Sequence, residues 1–561
     1  MNNAQYLTLL MISDFTINNF ASYANNAHEL PLFKATVSPF NRVNQVLLDS
    51  NLECWQMLPE AVVIWTRPEA VIESFKHILD FQQVPIEEIL TQVDEYSSLI
   101  IGIKDRAKYI FVPTWTSPSY YKLFQTLDMK QFGISHVLMQ MNLRLAANLS
   151  QIPNIYTLNA QKWIEMSGQD AFSPKLWYMA KVPFKNEVFK EALGDIKSAI
   201  NGISGKAKKL VILDLDDTLW GGVVGDDGWK NLQLGGHDPV GEAYVDFQKA
   251  LKSLTNRGIL LAIVSKNEES VAMEAINHHP EMVIKEEDFA GWRINWEDKT
   301  RNIMELVSDL NLGLQSAVFI DDNPYERARV REALPEVYVP EWPQDKMLYK
   351  KALLSLRCFE VSTISDEDLM RTKMYVAERQ RGQLKEQKGS LDEWLKTLAV
   401  KVEVQELNDA HLLRTVQLLN KTNQMNLSTR RMTGVELIEW CRRGQRKLWI
   451  ICASDKFADL GLVGIVSIEV NNNVVYITDF VLSCRAMGRK IEEIMILKVV
   501  NYARTARLDK IIAKYAPTTK NRPCLEFWKS SGFTYDENEG LFEWNLREDY
   551  PSVNHVEVTY V

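Results

Sequence analysis

The run "KLVILDLDDTLWGG", residues 209–222, constrains this chain more than any other stretch, because a strand-forming apolar segment ends abruptly on three carboxylates. In an extended strand end Asp214 and Asp216 point to the same side, since side chains repeat every second residue. Carboxylates held that close repel, and they persist with a cation between them or with one proton shared. Three oxygen-bearing groups, Asp214, Asp216 and Asp217, at a strand terminus suit Mg²⁺, which prefers hard oxygen ligands.

Three later segments extend the pattern. "LAIVSKN" puts Ser265 at the end of an apolar run, "NWEDKTRNI" puts Lys299 at the start of a helix, and "AVFIDDNPYER" ends a run on Asp321 and Asp322. If these runs are parallel neighbours, their C-terminal ends converge on one crevice that holds carboxylates, a hydroxyl and a cation. That is chemistry for a phosphoryl group. Thr218 to Ser265 leaves room for a turn and one helix, and Ser265 to Lys299 for little more. No large folded cap fits in either interval, so the site is expected to be open.

The 561 residues, 46% hydrophobic and 24% charged, are enough for two to four globular units. A net charge of -9 argues against broad nucleic-acid or anionic-membrane binding. No segment approaches the roughly 20 apolar residues of a membrane span. The start "MNNAQYLTLLMISDF" lacks the basic segment and cleavage site of a signal peptide. The six cysteines, without a CxxC pair, read as reduced thiols, and a cytoplasmic protein is expected.

Before about Lys197, apolar runs ("YLTLLMI", "AVVIW", "SLIIGI", "YIFV") alternate with helical stretches, which predicts a mostly parallel α/β sheet. "NGISGKAKK" reads as a linker. From Lys209 the strand candidates "KLVILDLDD", "ILLAIVSKN", "MVIK", "SAVFIDD" and "VYVP" restart the pattern. A charged helical connector follows. From about Val400, two helical segments precede "KLWIICAS", "LVGIVSIEV" and "NVVYITDFVLS", then a helix from about Gly488 and a last strand "IIAKY", an α+β unit.

The motif Asp214-Leu215-Asp216-Asp217-Thr218 resembles the first motif, DxDxT, of the haloacid dehalogenase superfamily. That resemblance implies that Asp214 is the nucleophile forming an aspartyl-phosphate, and that Asp216 is the acid/base for the leaving oxygen and for water. Thr218, Ser265 and Lys299 would hold the phosphate. Asp214, Asp216, Asp321 and Asp322 would hold Mg²⁺. Mg²⁺ and Lys299 would offset repulsion between an anionic nucleophile and an anionic phosphate.

"DFVLSCRAMGRKIEE" places Cys484 at a strand end before a helix that carries Arg485, Gly488 and Arg489. A helix N-terminus and nearby arginines favour the thiolate, which makes Cys484 the candidate catalytic thiol. The segment 485–490 resembles the pyrophosphate loop of the GNAT acyltransferases, with Lys490 where that loop usually has a small residue. Asn423, Gln424, Asn426 and Arg430 in "KTNQMNLSTRR" are candidate acyl- or pantetheine-binding residues beside Arg485, Gly488 and Arg489; a loop-ordering role is equally open to that run. Taken together, "LDLDDTLWGGVVGDDG", "VSKN", "FIDDNPYER", "LNKTNQMNLSTRR", "SCRAMGR" and "YAPTTKNRPCLEFW" resemble the FkbH-like glyceryltransferase/phosphatases of polyketide pathways. The resemblance implies 1,3-bisphosphoglycerate as donor and the pantetheine arm of an acyl carrier protein as acceptor. The alternative is a coenzyme A-dependent N-acyltransferase fused to a phosphatase, against which Lys490 argues; a non-catalytic assembly module is a third reading.

"LLMISDFTINNF" resembles the first block of the SGNH hydrolases, with Ser13-Asp14-Phe15 where Gly-Asp-Ser stands in that family. The nucleophile position holds Phe15, so a scaffold or carrier-docking platform is expected. The expected architecture is therefore a multidomain α/β chain. It has an SGNH-like α/β domain (1–197), a capless Rossmannoid phosphatase sheet of the haloacid dehalogenase type (209–360), a helical connector (361–398) and a GNAT-like α+β domain (399–550).

Overall fold

The computed structural model describes residues 6–561 apart from 119, 122–123, 169, 237, 365, 388–390, 423, 484–485 and 519. The chain forms two compact units, Met1–Lys209 with Lys351–Ile364, and Leu210–Lys350 with Ser365–Val561. The first unit thus takes back a segment that the sequence reading left inside the 209–360 domain. The second holds both the central parallel sheet and the C-terminal sheet. Among the described residues no helix is long and apolar enough to cross a membrane.

In the first unit β1 (Tyr6–Ser13), β2 (Leu32–Val37), β3 (Ala61–Trp65), β4 (Tyr109–Pro113) and β5 (Ile155–Leu158) pair in the order β2-β1-β3-β4-β5. All pairings are parallel. The run "SLIIGI", expected as a strand, is instead the end of the helix Ile86–Gly102. That helix buries Ile89, Val93, Tyr96, Ser97 and Ile100, a helical spacing that a short apolar run conceals.

In the second unit β6 (Leu210–Leu213), β7 (Leu260–Ser265), β8 (Phe289–Ile294) and β9 (Ala317–Ile320) form a parallel sheet in the order β8-β7-β6-β9. β6, β7 and β9 are buried throughout, as strands of a parallel sheet covered on both faces must be. "MVIK" is not a strand: the pairing falls to "FAGWRI" a few residues on, and "VYVP" contributes a single bridge, Tyr338 to Val318. The chain leaves β6 on the β7 side and returns as β9 on the other. The C-terminal ends of β6 and β9 therefore flank the topological switch point, where an open α/β sheet offers its crevice.

The C-terminal sheet comprises β10 (Val400–Glu406), β11 (Met425–Asn426), β12 (Arg446–Ser454), β13 (Asp459–Asn471), β14 (Val474–Leu482), β15 (Lys510–Lys514), β16 (Thr534–Asp536), β17 (Leu541–Asn545) and β18 (Val556–Tyr560). Its order is β16-β17-β15-β14-β13-β12-β10-β18, with β11 beside β14. The β13–β14 hairpin turns on Asn472 and Asn473, both at positive φ, as a two-residue turn requires. β14 and β15 are parallel and joined through the helix Ile491–Thr505, but they pair only over Val474–Ile477 and Lys510–Ala513. Beyond that the strands part, and β11 pairs with Val481 and Leu482 in the gap.

The helix Asp366–Gln387 joins the two sheets of this unit. Arg371 donates to the Gly258 carbonyl at 2.6 Å and Arg379 to that of Phe289 at 2.8 Å, beside the Trp292 ring. On the same turn Arg381 pairs with Asp455 at 2.8 Å, and Glu378 accepts from Arg489 at 2.5 Å. The side chains of Asp455, Arg381 and Arg489 are all buried. Burial opposes the charge on Asp455, yet hydrogen bonds from Arg381 and the Phe457 amide hold its carboxyl below the usual range. Asp455→Ala would leave two guanidinium groups buried with one exposed-side partner between them. Urea unfolding should show a loss of about 3–5 kcal/mol; a loss under about 1 kcal/mol, the size of a surface pair, would show that the junction does not depend on this cluster.

Candidate active site

Asp214 follows β6 directly, and its amide donates to the Ile320 carbonyl at 3.0 Å, which locks the ends of β6 and β9 together. Lys299 is the first residue of the helix Lys299–Asp309, whose N-cap Asp298 accepts from the Thr300 amide. The Lys299 ammonium lies 3.0 Å from Asp214 Oδ2 and 2.6 Å from Asp321 Oδ2. All three side chains are buried. Burial opposes the charge on Lys299, but Asp214 and Asp321 outweigh it and hold the ammonium. Asp321 is pushed up to about 6 by burial and by Asp214, against the pull of Lys299. Burial also raises Asp322.

Asp214, Asp321 and Asp322 each offer an oxygen within 4.8 Å of the others. Asp214 Oδ1 is buried with no hydrogen-bond partner among the described residues. An orphaned carboxylate oxygen in an acidic cluster fits a hard divalent cation, and the all-oxygen donor set matches Mg²⁺.

Two assignments from the sequence need correction. Asp216 was counted among the metal ligands, but its carboxylate lies outside this group. It accepts from Trp220 Nε1 at 2.9 Å, the Val224 amide at 3.1 Å and Asn267 Nδ2 at 3.0 Å. Burial raises its pKa despite those donors, which suits an acid/base group better than a ligand. Thr218 was expected to hold phosphate. It is completely buried, and its hydroxyl accepts from the Asp322 amide at 3.1 Å and faces Asp322 Oδ1 at 3.4 Å, so it orients a ligand carboxylate. Ser265 ends β7 as expected and accepts from Asn267 at 3.2 Å.

Three site residues escaped the sequence reading. Asn267 bridges Asp216 and Ser265, and its place two residues after Ser265 on a strand end was the signal available. Trp220 fixes Asp216 from within the same turn. Lys346 had no local signal. Its ammonium donates to the Asp217 carbonyl at 2.8 Å and lies 3.6 Å from Asp322 Oδ2. Tyr244 and Tyr349 donate to that same carbonyl at 3.2 Å each, clamping a residue that sits at positive φ.

In the C-terminal sheet, Cys484, Arg485 and Asn423 lie outside the described residues. Gln424 is half-buried. Asn426 does not line an acyl site: it is completely buried, donating to the Thr422 carbonyl and accepting from the Thr429 amide, so it shapes its own loop. Arg430 pairs with the buried Asp479 and stacks on Trp440. Gly488 and Arg489 were expected to bind a phosphate-bearing arm. The Gly488 amide instead donates to Glu492 at 2.7 Å, and Arg489 points inward to Glu378 and Asp455. In the first unit Phe15 packs edge-on against Trp65 and Phe184, and Asp14 pairs with Arg67 at 2.8 Å, so the block-one nucleophile position is part of the core.

Mg²⁺ should raise the melting temperature of the wild-type protein. Asp322→Asn should weaken Mg²⁺ binding at least about tenfold by calorimetry; unchanged affinity would remove Asp322 from the ligand set.

No family model matches the chain, and no curated protein matches it. Among solved structures it resembles the N-terminal part of the protein BF1531 from Bacteroides fragilis, which contains a phosphatase domain and was crystallised with Mg. Identity is 29%, the match covers 64% of this chain and 95% of that chain, and the TM-score is 0.58. Shorter matches include the PaiA N-acetyltransferase of Thermoplasma acidophilum in complex with coenzyme A, at 13% identity over 26% of this chain and 98% of that one, with a TM-score of 0.22. A GNAT-family acetyltransferase from Staphylococcus aureus Mu50 matches at 12% identity over 26% of this chain and 99% of that one, with a TM-score of 0.21.

Proposed function

We propose that the chain is a Mg²⁺-dependent phosphatase joined to an acyltransferase, and that it loads a glyceryl unit from 1,3-bisphosphoglycerate onto an acyl carrier protein. The observation that carries the phosphatase half is Asp214: one oxygen is paired with Lys299 and the other is buried and unpartnered beside Asp321 and Asp322. The likeness to a Mg-bound phosphatase domain supports it.

In this reading Asp214 attacks the phosphorus of a phosphate ester, the phosphorus–oxygen bond to the leaving group breaks, and Asp216 gives that oxygen its proton. Asp216 then takes a proton from water, which attacks the aspartyl-phosphate and frees inorganic phosphate and Asp214. Lys299 holds the nucleophile and neutralises charge as the phosphate approaches. Asp214, Asp321 and Asp322 would hold Mg²⁺, which would supply Lewis-acid stabilisation of the phosphoryl oxygens. Asn267 and Trp220 keep Asp216 aimed, and Thr218 and Lys346 keep Asp322 and the Asp217 turn in place.

The acyl half rests on the sequence resemblance and on Cys484. A thiolate there would attack the acyl-phosphate carbonyl, expel phosphate and pass the acyl group on to a pantetheine thiol as a thioester. Among the described residues the interval between β6 and β7 holds two short helical turns and the helix Pro239–Thr255, with no folded cap, which suits a substrate presented on a carrier. Exposed Tyr120, Tyr121, Tyr178 and Met179 in the first unit suit a docking role for that SGNH-like sheet.

Mixing the protein with a carrier and 1,3-bisphosphoglycerate and weighing both intact should show a glyceryl adduct on the carrier. Asp214→Asn should stop dephosphorylation, and Cys484→Ala should stop transfer, each by at least about a thousandfold. A dephosphorylated glyceryl adduct formed at the normal rate by Asp214→Asn, or normal transfer by Cys484→Ala, would overturn that residue's role.

A further inference from the structure

We propose that Lys346 makes the acidic trio of Asp214, Asp321 and Asp322 discriminate Mg²⁺ from Ca²⁺, by withholding one oxygen of Asp322 from the ion. As a statement about a metal this rests on the phosphatase reading above.

The two ions carry the same charge and differ in what they ask of a carboxylate. Ca²⁺ takes about six to eight oxygens at about 2.3–2.6 Å and readily accepts both oxygens of one carboxylate, whereas Mg²⁺ demands a compact octahedron at about 2.0–2.1 Å and keeps several waters. A site whose carboxylates offer one oxygen apiece therefore handicaps Ca²⁺ and costs Mg²⁺ little.

The trio has that arrangement, because each of its carboxylates sets one oxygen against an ammonium. Lys299 faces two of them, Asp214 Oδ2 at 3.0 Å and Asp321 Oδ2 at 2.6 Å. Lys346 faces the third, Asp322 Oδ2, at 3.6 Å. The remaining oxygens meet neutral groups or none. Asp214 Oδ1 is buried without a partner among the described residues, Asp321 Oδ1 accepts from the Asn323 amide at 2.8 Å, and Asp322 Oδ1 faces the Thr218 hydroxyl at 3.4 Å. A neutral donor leaves a carboxylate oxygen a lone pair for an ion, while an ammonium also opposes the ion by charge. What the trio offers a cation is Oδ1 of each residue.

Lys346 is held for this place. It begins the turn Lys346–Leu348, whose N-cap Asp345 accepts from the Met347 amide at 3.0 Å. The side chain is half-buried, donates to the Asp217 carbonyl at 2.8 Å and lies 3.9 Å from Asp217 Oδ1. Tyr244 and Tyr349 donate to that same carbonyl, so the Asp217 turn has two neutral clamps besides Lys346. The lysine adds what a phenol cannot, a full positive charge beside Asp322. Lys299 does the same for Asp214 and Asp321, but it also serves the nucleophile. Lys346 pairs with Asp217 and Asp322, so it can be replaced without unpairing Asp214 from Lys299.

The test is calorimetry on the full chain, stripped of metal with EDTA, dialysed, and titrated separately with Mg²⁺ and Ca²⁺. Wild type should bind Mg²⁺ more tightly than Ca²⁺. Loss of a positive charge strengthens both ions alike, so the ratio of their dissociation constants reports the freed oxygen. Lys346→Met should shift that ratio toward Ca²⁺ at least about fivefold. Lys346→Ala should do the same, with the folding of both variants checked by circular dichroism. Tyr349→Phe, which takes a neutral donor from the same turn, should leave the ratio within about twofold of wild type. A wild type that favours Ca²⁺, an unmoved ratio in the Lys346 variants, loss of all metal binding by folded Lys346 variants, or an equal shift in Tyr349→Phe would each overturn the proposal. Wild type that binds neither ion would sink the metal reading itself, whereas Mg²⁺ binding with an unmoved ratio would sink only the role of Lys346.

Discussion

The phosphatase half depends on a buried ammonium between two carboxylates. Lys299 is taken out of water and would cost several kcal/mol if unpaired, yet it sits within hydrogen-bond reach of both Asp214 and Asp321. Lys299 and Lys346, the latter 3.6 Å from Asp322, face three acidic side chains, and one oxygen of Asp214 is left orphaned. An orphaned oxygen in an acidic cluster suits a hard divalent cation. Everything nearby serves to hold the cluster still: the β6–β9 lock, the Thr218 hydroxyl under Asp322, and the three donors on the Asp217 carbonyl.

The C-terminal sheet solves a related problem in the opposite sense. Its parting strands and helix head are places where polar backbone groups would face outward without partners. The chain answers with its own atoms, Met425–Leu427 in the gap and Glu492 at the helix head. The two sheets of this unit are tied by the turn of the helix Asp366–Gln387 that carries Glu378, Arg379 and Arg381.

The parts of the site that were legible beforehand share one property: they sit at the ends of uniformly apolar runs. Asp214, Ser265 and Asp321 each follow such a run, so strand direction alone delivers them to one edge. Lys299 was legible because a helix start places its first side chain at that same edge. Strand candidates failed where apolar composition alone did not tell strand from helix or turn. "SLIIGI" and "MVIK" have the composition of strands, but a handful of apolar residues bury equally well on a helix or in a turn.

What the sequence by itself determined is the chemistry of the central crevice, because residue type and strand periodicity are local properties and four motifs in order leave few other arrangements. What only the tertiary structure decided is which oxygen each side chain spends and on what. Asp216, expected both as acid/base and as ligand, keeps its carboxylate out of the metal group because Trp220, Val224 and Asn267 claim it. Thr218 turned from phosphate holder to prop, and Lys346 arrived from far along the chain. Gly488 and Arg489, which by position belong to an anion loop, are committed to Glu492, Glu378 and Asp455. Hydrogen-bond partners at long sequence separation follow from packing, and packing is a property of the folded chain.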